Sequence, residues 1–332
     1  MQYESLFLRT MPLFLSCFKN MSSDTIILIG ACGQIGGELT MFLRNQFGSS
    51  KVIAADIKKP EGDLLESGPF EELNVLDHER LLELVKKYQP TQIYNLAAML
   101  SATGEKFPLK AWELNMDGLI HTLEIAKDNG VKKVYWPSSI AVFGPTTPKS
   151  ETPQTTVMEP QTIYGISKQA GERWCEWYFL KHNLDIRSIR YPGLISYKTE
   201  PGGGTTDYAV DIYFKAKAQK TYTCFLSENT MLPMMYMPDA IRATFELMDA
   251  PAEKIKIRSA YNLSAMSFSP KMVAESIKKI IPDFKIDYNV DYRQQIADSW
   301  PGSINDNAAR NDWGWKHEFD LDKMTADMLE NI

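Results

Sequence analysis

None of the four cysteines, Cys17, Cys32, Cys175 and Cys224, stands at C-x-x-C spacing, and His78, His121, His182 and His317 lie far apart. The pattern suggests neither a disulfide framework nor a zinc site, and no metal is expected. Basic charge is also short. Lys and Arg number 36 against 42 Asp and Glu, a net charge of −6. Binding along a nucleic-acid backbone calls for the opposite balance, so no nucleic-acid partner is expected. Long hydrophobic runs are missing as well. The stretch from Met11 to Phe18 is interrupted by Pro12 and is far too short to span a bilayer, and no membrane partner is expected. There is no internal repeat beyond an alternation of strands and helices, and no low-complexity linker. What is present is ordinary: 332 residues, 44% hydrophobic and 23% charged, enough for one large α/β unit or a nucleotide-binding domain with a smaller lobe.

The alternation begins at Thr25-Ile26-Ile27-Leu28-Ile29, a β-branched run read as a buried strand. It ends at Gly30-Ala31-Cys32-Gly33-Gln34-Ile35-Gly36, ahead of a helix expected from about Ile35 to Gln46. Strand, glycine turn and helix form a phosphate site, because glycines let the backbone approach a pyrophosphate held at the helix N-terminus. The spacing is G-x-x-G-x-x-G, so the turn alone could be an ordinary one. Cys32, inside it, is read as a small tolerated residue and not as a nucleophile. A second strand, Lys51 to Ala55, runs to Asp56, twenty residues after Gly36. A carboxylate there would accept hydrogen bonds from ribose hydroxyls and repel a 2′-phosphate, which favours NAD over NADP. Lys58 and Lys59 are the opposing signal.

A third strand is expected to end over Glu72 to Asp77, with a helix from His78 to Tyr88 stopped by Pro90. A fourth, Gln92 to Ala98, runs into the small residues Ala97 and Ala98, followed by an expected loop from Met99 to Glu105 with Ser101 and Gly104. A helix over about Leu109 to Asp128 carries Asn115. Val131 to Trp136 leads into Pro137-Ser138-Ser139-Ile140-Ala141-Val142-Phe143-Gly144. Asp185 to Arg190 reads as one further strand. Such regular alternation implies α/β architecture, a doubly wound parallel sheet with ligands at the carboxyl ends of its strands.

Tyr164-Gly165-Ile166-Ser167-Lys168 places a phenol and an ammonium one helical turn apart. A tyrosine base near neutral pH needs roughly 3 units of pKa depression, about 4 kcal/mol of help for the phenolate. A cation at i+4 can supply it, although the pentapeptide alone is also compatible with surface decoration.

Taken in order, the glycine loop, Asp56, Asp77, Asn95-Leu96-Ala97-Ala98, Asn115, the Ser-Ser-x-x-x-Phe-Gly turn, and Tyr164 with Lys168 resemble the extended short-chain dehydrogenase/reductase family over about residues 24 to 195. Phe143 stands where that family usually has tyrosine. The resemblance implies a Rossmann-type fold with a smaller C-terminal substrate lobe and NAD as cofactor. It also implies catalysis by Ser139, Tyr164 and Lys168. Cofactor contacts would come from Gly30, Gly33, Gln34, Ile35, Gly36, Asp56, Leu76, Asp77, Leu96, Ala97, Ala98, Asn115, Tyr164, Lys168 and Leu194.

Gly193 stands where the nucleotide-sugar epimerases of the family usually have asparagine, which argues against a nucleotide-sugar substrate. Pro201 to Val210 is a glycine turn opening a helix. Thr205, Thr206 and Asp207 there suit a small zwitterion, and a simple capped helix is the alternative. With Leu100 to Gly104, Arg190 to Gly193, Asp298 to Pro301 and Ala309 to Trp315, this turn resembles the threonine-oxidising branch of the family, nearly from Thr25 to the C-terminus. That implies NAD-dependent oxidation of L-threonine at C3 to 2-amino-3-ketobutyrate, with Ser101, Ser139, Tyr164, Thr205, Thr206 and Asp207 around the substrate. Tight NAD binding by an epimerase or dehydratase of nucleotide sugars is the alternative. The family also implies a homodimer pairing the helices around 109–128 and 163–180, where Trp112, Trp174 and Trp177 offer apolar surface.

Residues 1–21 read as a leader. Phe7, Phe14, Phe18, Arg9 and Lys19 accompany one acidic residue, Glu4. This fits a weak mitochondrial presequence, or equally an upstream start or a disordered tail on a cytoplasmic protein. Residues 22–193 are then the NAD-binding domain, and 194–332 mainly the substrate lobe, with segments returning to the main domain.

Overall fold

The computed structural model describes residues 24–198 and 204–332. The expected leader lies outside the described residues, as does most of the glycine turn that begins at Pro201.

The main sheet has six parallel strands: β1 (Ile26–Ile29), β2 (Val52–Asp56), β3 (Phe70–Glu72), β4 (Gln92–Asn95), β5 (Lys133–Tyr135) and β6 (Asp185–Arg187), in spatial order 3-2-1-4-5-6. The order reverses beside β1, so the crevice for a dinucleotide opens where the glycine turn leaves that strand. β1 is apolar throughout because both its faces are covered. Ile26 and Leu28 point into a core shared with the helix α1 (Gln34–Phe47), and Ile27 and Ile29 into one shared with α2 (His78–Tyr88) and α3 (Gly118–Asp128). Each such side chain taken fully from water contributes about 1.5–3 kcal/mol. A long helix, α4 (Ile163–His182), completes the second face through Cys175 and Tyr178.

The structure corrects four sequence expectations. The fourth strand stops at Asn95, short of the expected Ala98. The third strand stops at Glu72 instead of running to Asp77. Although Leu73 and Val75 are buried, Asn74 Oδ1 accepts from the Leu76 amide at 3.1 Å and turns the chain, and Asp77 caps α2 by accepting from the Arg80 amide at 3.0 Å. The stretch after β4 is not wholly a loop, since Ser101–Lys106 forms a short helix. Gly104 lets that helix pack closely: a Cβ there would lie 3.3 Å from Ile163 Cγ2 and 3.4 Å from Ala111 Cβ. Finally, Asp185 to Arg190 is two strands. It breaks at Ser188, after which β7 (Ile189–Tyr191) pairs with Ser138–Ser139 and Tyr261–Asn262 in a separate small sheet.

The smaller lobe has its own core of Ile195, Tyr208, Ile212, Tyr213, Met234, Phe268, Val273 and Ile277. Ile140 to Phe143 join that core, so the segment after Ser139 lies between lobe and main domain. The helix Met237–Asp249 returns to pack on α1, with the Phe42 and Phe245 rings 5.3 Å apart. Among the described residues no helix is long and apolar enough to cross a membrane.

Candidate active site

At the mouth of β1 the chain turns through Gly30 at φ +86°, held by amides of Gly30 and Ala31 donating to the Ala55 carbonyl at 2.8 and 3.1 Å. A Cβ on Gly36 would lie 2.0 Å from the Gly30 carbonyl oxygen, and one on Gly30 would lie 2.9 Å from the Ala97 amide nitrogen. The glycines therefore let the loop fold onto itself and against Leu96 and Ala97. α1 begins after Gly33 with no side-chain cap and no acidic residue in its first turn, Gln34 to Gly36. Its N–H groups and dipole fit a pyrophosphate. Asp56, at the end of β2, accepts from the amides of Cys32 and Lys58, both at 2.9 Å, which fixes its carboxylate beside the loop. Burial, with Asp56 beside it, raises the Cys32 thiol to about 11, which suits a spectator and not a nucleophile. The residues thus fit a dinucleotide, with the phosphates over Gly30 to Gly36 and a ribose at Asp56.

The remaining cofactor candidates divide. Ala98 is half-buried directly after Ala97. Leu76 sits half-buried in the turn before α2, and Asp77 is occupied as that helix's cap. Leu194 pairs with Met235 in the small lobe sheet. Asn115 lies in a π-helical turn, Glu113–Asp117, a form that often marks functional positions. It accepts from the Met99 amide at 2.8 Å and donates to the Met99 carbonyl at 3.2 Å and to Ser167 Oγ at 3.0 Å. Its amide thus braces the post-β4 segment against α4.

Ser139, Tyr164 and Lys168 come together. α4 starts where Thr162 accepts from the Gly165 amide and Glu105 from the Ile163 amide, at 3.1 and 2.8 Å. Tyr164 thereby sits in the first turn. Enclosure raises that phenol to about 12, and the neighbouring Ser139 hydroxyl opposes the rise. Lys168 is buried one turn on. Loss of water pushes its ammonium down to about 7, with Cys175 and Glu172 opposing. The Lys168 Nζ donates to the Pro137 carbonyl at 2.6 Å, stands 4.2 Å from the Trp136 ring centre, and lies 5.6 Å from that of Tyr164. Sequence reasoning missed Trp136 and Pro137, since a backbone acceptor leaves no mark in side-chain identity.

Ser101 and Thr205 line one cavity of about 310 Å³ together with Thr162, two residues before Tyr164. Tyr292 and Arg293, from the lobe, line it as well, and neither was legible as a lining residue in the sequence. Thr206 packs over Gly193, where a Cβ would lie 2.8 Å from its Cγ2. Asp207 accepts from the Gly204 amide at 2.8 Å, closing the turn before the helix Tyr208–Gln219.

The parallel sheet, the glycine turn and the Ser-Tyr-Lys set define a nucleotide-dependent α/β protein, and the chain belongs to the NAD-dependent epimerase/dehydratase family, whose model matches residues 26–264. Within it the chain is 52% identical to an uncharacterised epimerase/dehydratase of Staphylococcus saprophyticus, over 92% of this chain and 96% of that one. It is similar to the holo form of a GalE-like L-threonine dehydrogenase from Cupriavidus necator, at 55% identity and a TM-score of 0.91, covering 92% of this chain and 99% of that one. It is also similar to a monomeric L-threonine 3-dehydrogenase of metagenomic origin, at 49% identity and a TM-score of 0.89, covering 92% and 98%.

Proposed function

We propose that this chain oxidises L-threonine at C3 to 2-amino-3-ketobutyrate with NAD. The observation that carries the reading is identity of about one half, over nearly the whole chain, to L-threonine dehydrogenases. The geometry agrees with it. Ser139 Oγ and the Tyr164 hydroxyl would both meet the C3 hydroxyl. Ser139 orients the oxygen while Tyr164, as phenolate, removes its proton. Lys168 fixes the Pro137 to Ser139 segment and lends positive charge to the proton transfer. Gly30 to Gly36 and Asp56 would hold NAD, which accepts the hydride from C3 and brings a positive charge that favours the phenolate. Ser101, Thr205, Thr206 and Asp207 are proposed for the amino-acid end, with Asp207 sharing its carboxylate between the Gly204 amide and the substrate ammonium. Gly193 supports this over a nucleotide sugar, because an asparagine there would displace Thr206.

A screen for NADH formation tests the reading. Threonine should be oxidised well above serine, other hydroxy acids and nucleotide sugars, with NAD preferred to NADP because Asp56 repels a 2′-phosphate. Turnover of a nucleotide sugar without added cofactor would replace this reading with the epimerase one.

A homodimer is proposed as well. Trp112, Trp174 and Trp177 are 40%, 38% and 44% exposed, and Leu109 and Leu180 are 84% and 70% exposed. Such apolar area on the two helices named above fits a second copy. Sedimentation at micromolar concentration should show a dimer, and monomer alone would remove the claim, as the monomeric metagenomic relative makes plain. The staphylococcal relative lends no support to a mitochondrial address for residues 1–21, and the proposed activity needs none.

A further inference from the structure

α4 is fastened to the strand that carries Ser139 at a second place, one turn beyond Lys168. Ser138 Oγ donates to Glu172 Oε1 at 2.6 Å. Glu172 is fully buried and forked onto Arg190, whose Nε and Nη2 donate to it at 2.8 and 2.7 Å. Arg190 in turn donates to the Gln154 carbonyl at 3.0 Å and to Asn262 Oδ1 at 2.9 Å, and its guanidinium lies 5.5 Å from the Phe143 ring centre. Consecutive residues, Pro137 and Ser138 at the start of the strand, are therefore gripped by side chains four apart on one helix, Lys168 and Glu172. The next residue is Ser139. The approach is close by construction: a Cβ on Gly165 would lie 2.1 Å from the Ala141 carbonyl oxygen, and one on Gly171 2.3 Å from the Trp136 ring.

A buried ion pair of this kind is weak as a source of stability, because desolvating both charges offsets most of their attraction. Fixed geometry is what it supplies. The strand needs that, since Ser138–Ser139 is two residues long and, among the described residues, pairs only with Arg190 and Tyr191 of β7. We infer that Ser138 and Glu172, braced by Arg190, are positioning residues that set the height of Ser139 against Tyr164 and so the alignment of the reacting hydroxyl. This rests on the catalytic reading of Ser139 and Tyr164 given above.

Two variants of the full chain test it. Ser138→Ala removes one hydroxyl and leaves the Glu172–Arg190 pair whole, so folding should survive. Gln154→Ala is the control. It cuts the outer end of the network, where Gln154 donates to the Ala260 carbonyl and accepts from the Asn262 amide, without touching residues 137–139. In Ser138→Ala, amide hydrogen exchange over residues 138–142 should quicken and kcat for L-threonine should fall roughly ten- to a hundredfold, as for a misplaced reacting group. KM and NAD affinity should stay near wild type. Gln154→Ala should lower the thermal midpoint while leaving exchange at 138–142 and kcat near wild type. Unchanged exchange in Ser138→Ala would overturn the inference, as would an equal loss of kcat in both variants. Because exchange is measured on the free protein, it decides the grip even if the wild type makes no NADH from threonine, an outcome that would sink only the proposed activity.

Discussion

Tyr164→Phe should lower kcat for L-threonine by about 10² to 10⁴ while the protein folds normally, the usual range for loss of a general base. The change removes one hydroxyl and keeps the ring that packs against the smaller lobe's core. Its size follows from the electrostatics. Enclosure raises the phenol to about 12, so in the free protein almost none of it is ionised near neutral pH. Work as a base depends on positive charge and hydrogen bonds gathered around the phenolate, and all of that investment is stranded when the hydroxyl is gone. The sign of the pH dependence is fixed as well. The wild-type rate should climb with pH as the phenol ionises in the complex, and the residual Tyr164→Phe rate should lack that limb. Steady-state kinetics across pH decide it. Near-normal turnover with an unshifted profile would remove Tyr164 from the chemistry.

Much of the frame was legible in the sequence because it rests on period and composition. A strand buried on both faces must be apolar at every position, so β1 and β2 announce themselves, and glycine turns with a carboxylate at the next strand's end leave an ordered mark. What escaped depends on partners distant in the chain. Nothing in Asp185 to Arg190 says that the ladder changes sheets at Ser188, because Ile186 and Ile189 read alike while one pairs with Val134 and the other with Tyr261. Leu73 and Val75 alternate like a strand, yet Asn74 turns the chain between them and leaves both buried. Nothing in the sequence around Glu172 sets it apart from other polar residues. Only the fold brings Arg190, eighteen residues on, against it, and only backbone geometry shows the Pro137 carbonyl as the acceptor for Lys168. The motif residues were readable, and the contacts that aim them were not.

Lys168→Met should reduce kcat by about 10² or more at neutral pH, with what activity remains appearing only at higher pH, since the phenolate loses its nearest side-chain cation. Combined with Tyr164→Phe the loss should be far less than the product of the two, because both disable one proton-transfer unit. Stability should respond in the other direction. Burial lowers the folded pKa of Lys168 from about 10.5 to about 7, so between those values the unfolded chain holds a proton that the folded chain has released. Stability then rises with pH across that window, and below pH 7 the folded protein carries the full cost of a buried ammonium. Methionine fills a similar volume with no charge. The free Lys168→Met protein should therefore be the more stable of the two near pH 6.5, with wild type gaining on it steadily toward pH 10. Urea midpoints measured at several pH values on both proteins give the difference directly, and other titrating groups cancel. A difference flat with pH would mean that the Pro137 carbonyl and the Trp136 ring face hold Lys168 charged throughout. The lysine would then be a permanent cation beside Tyr164.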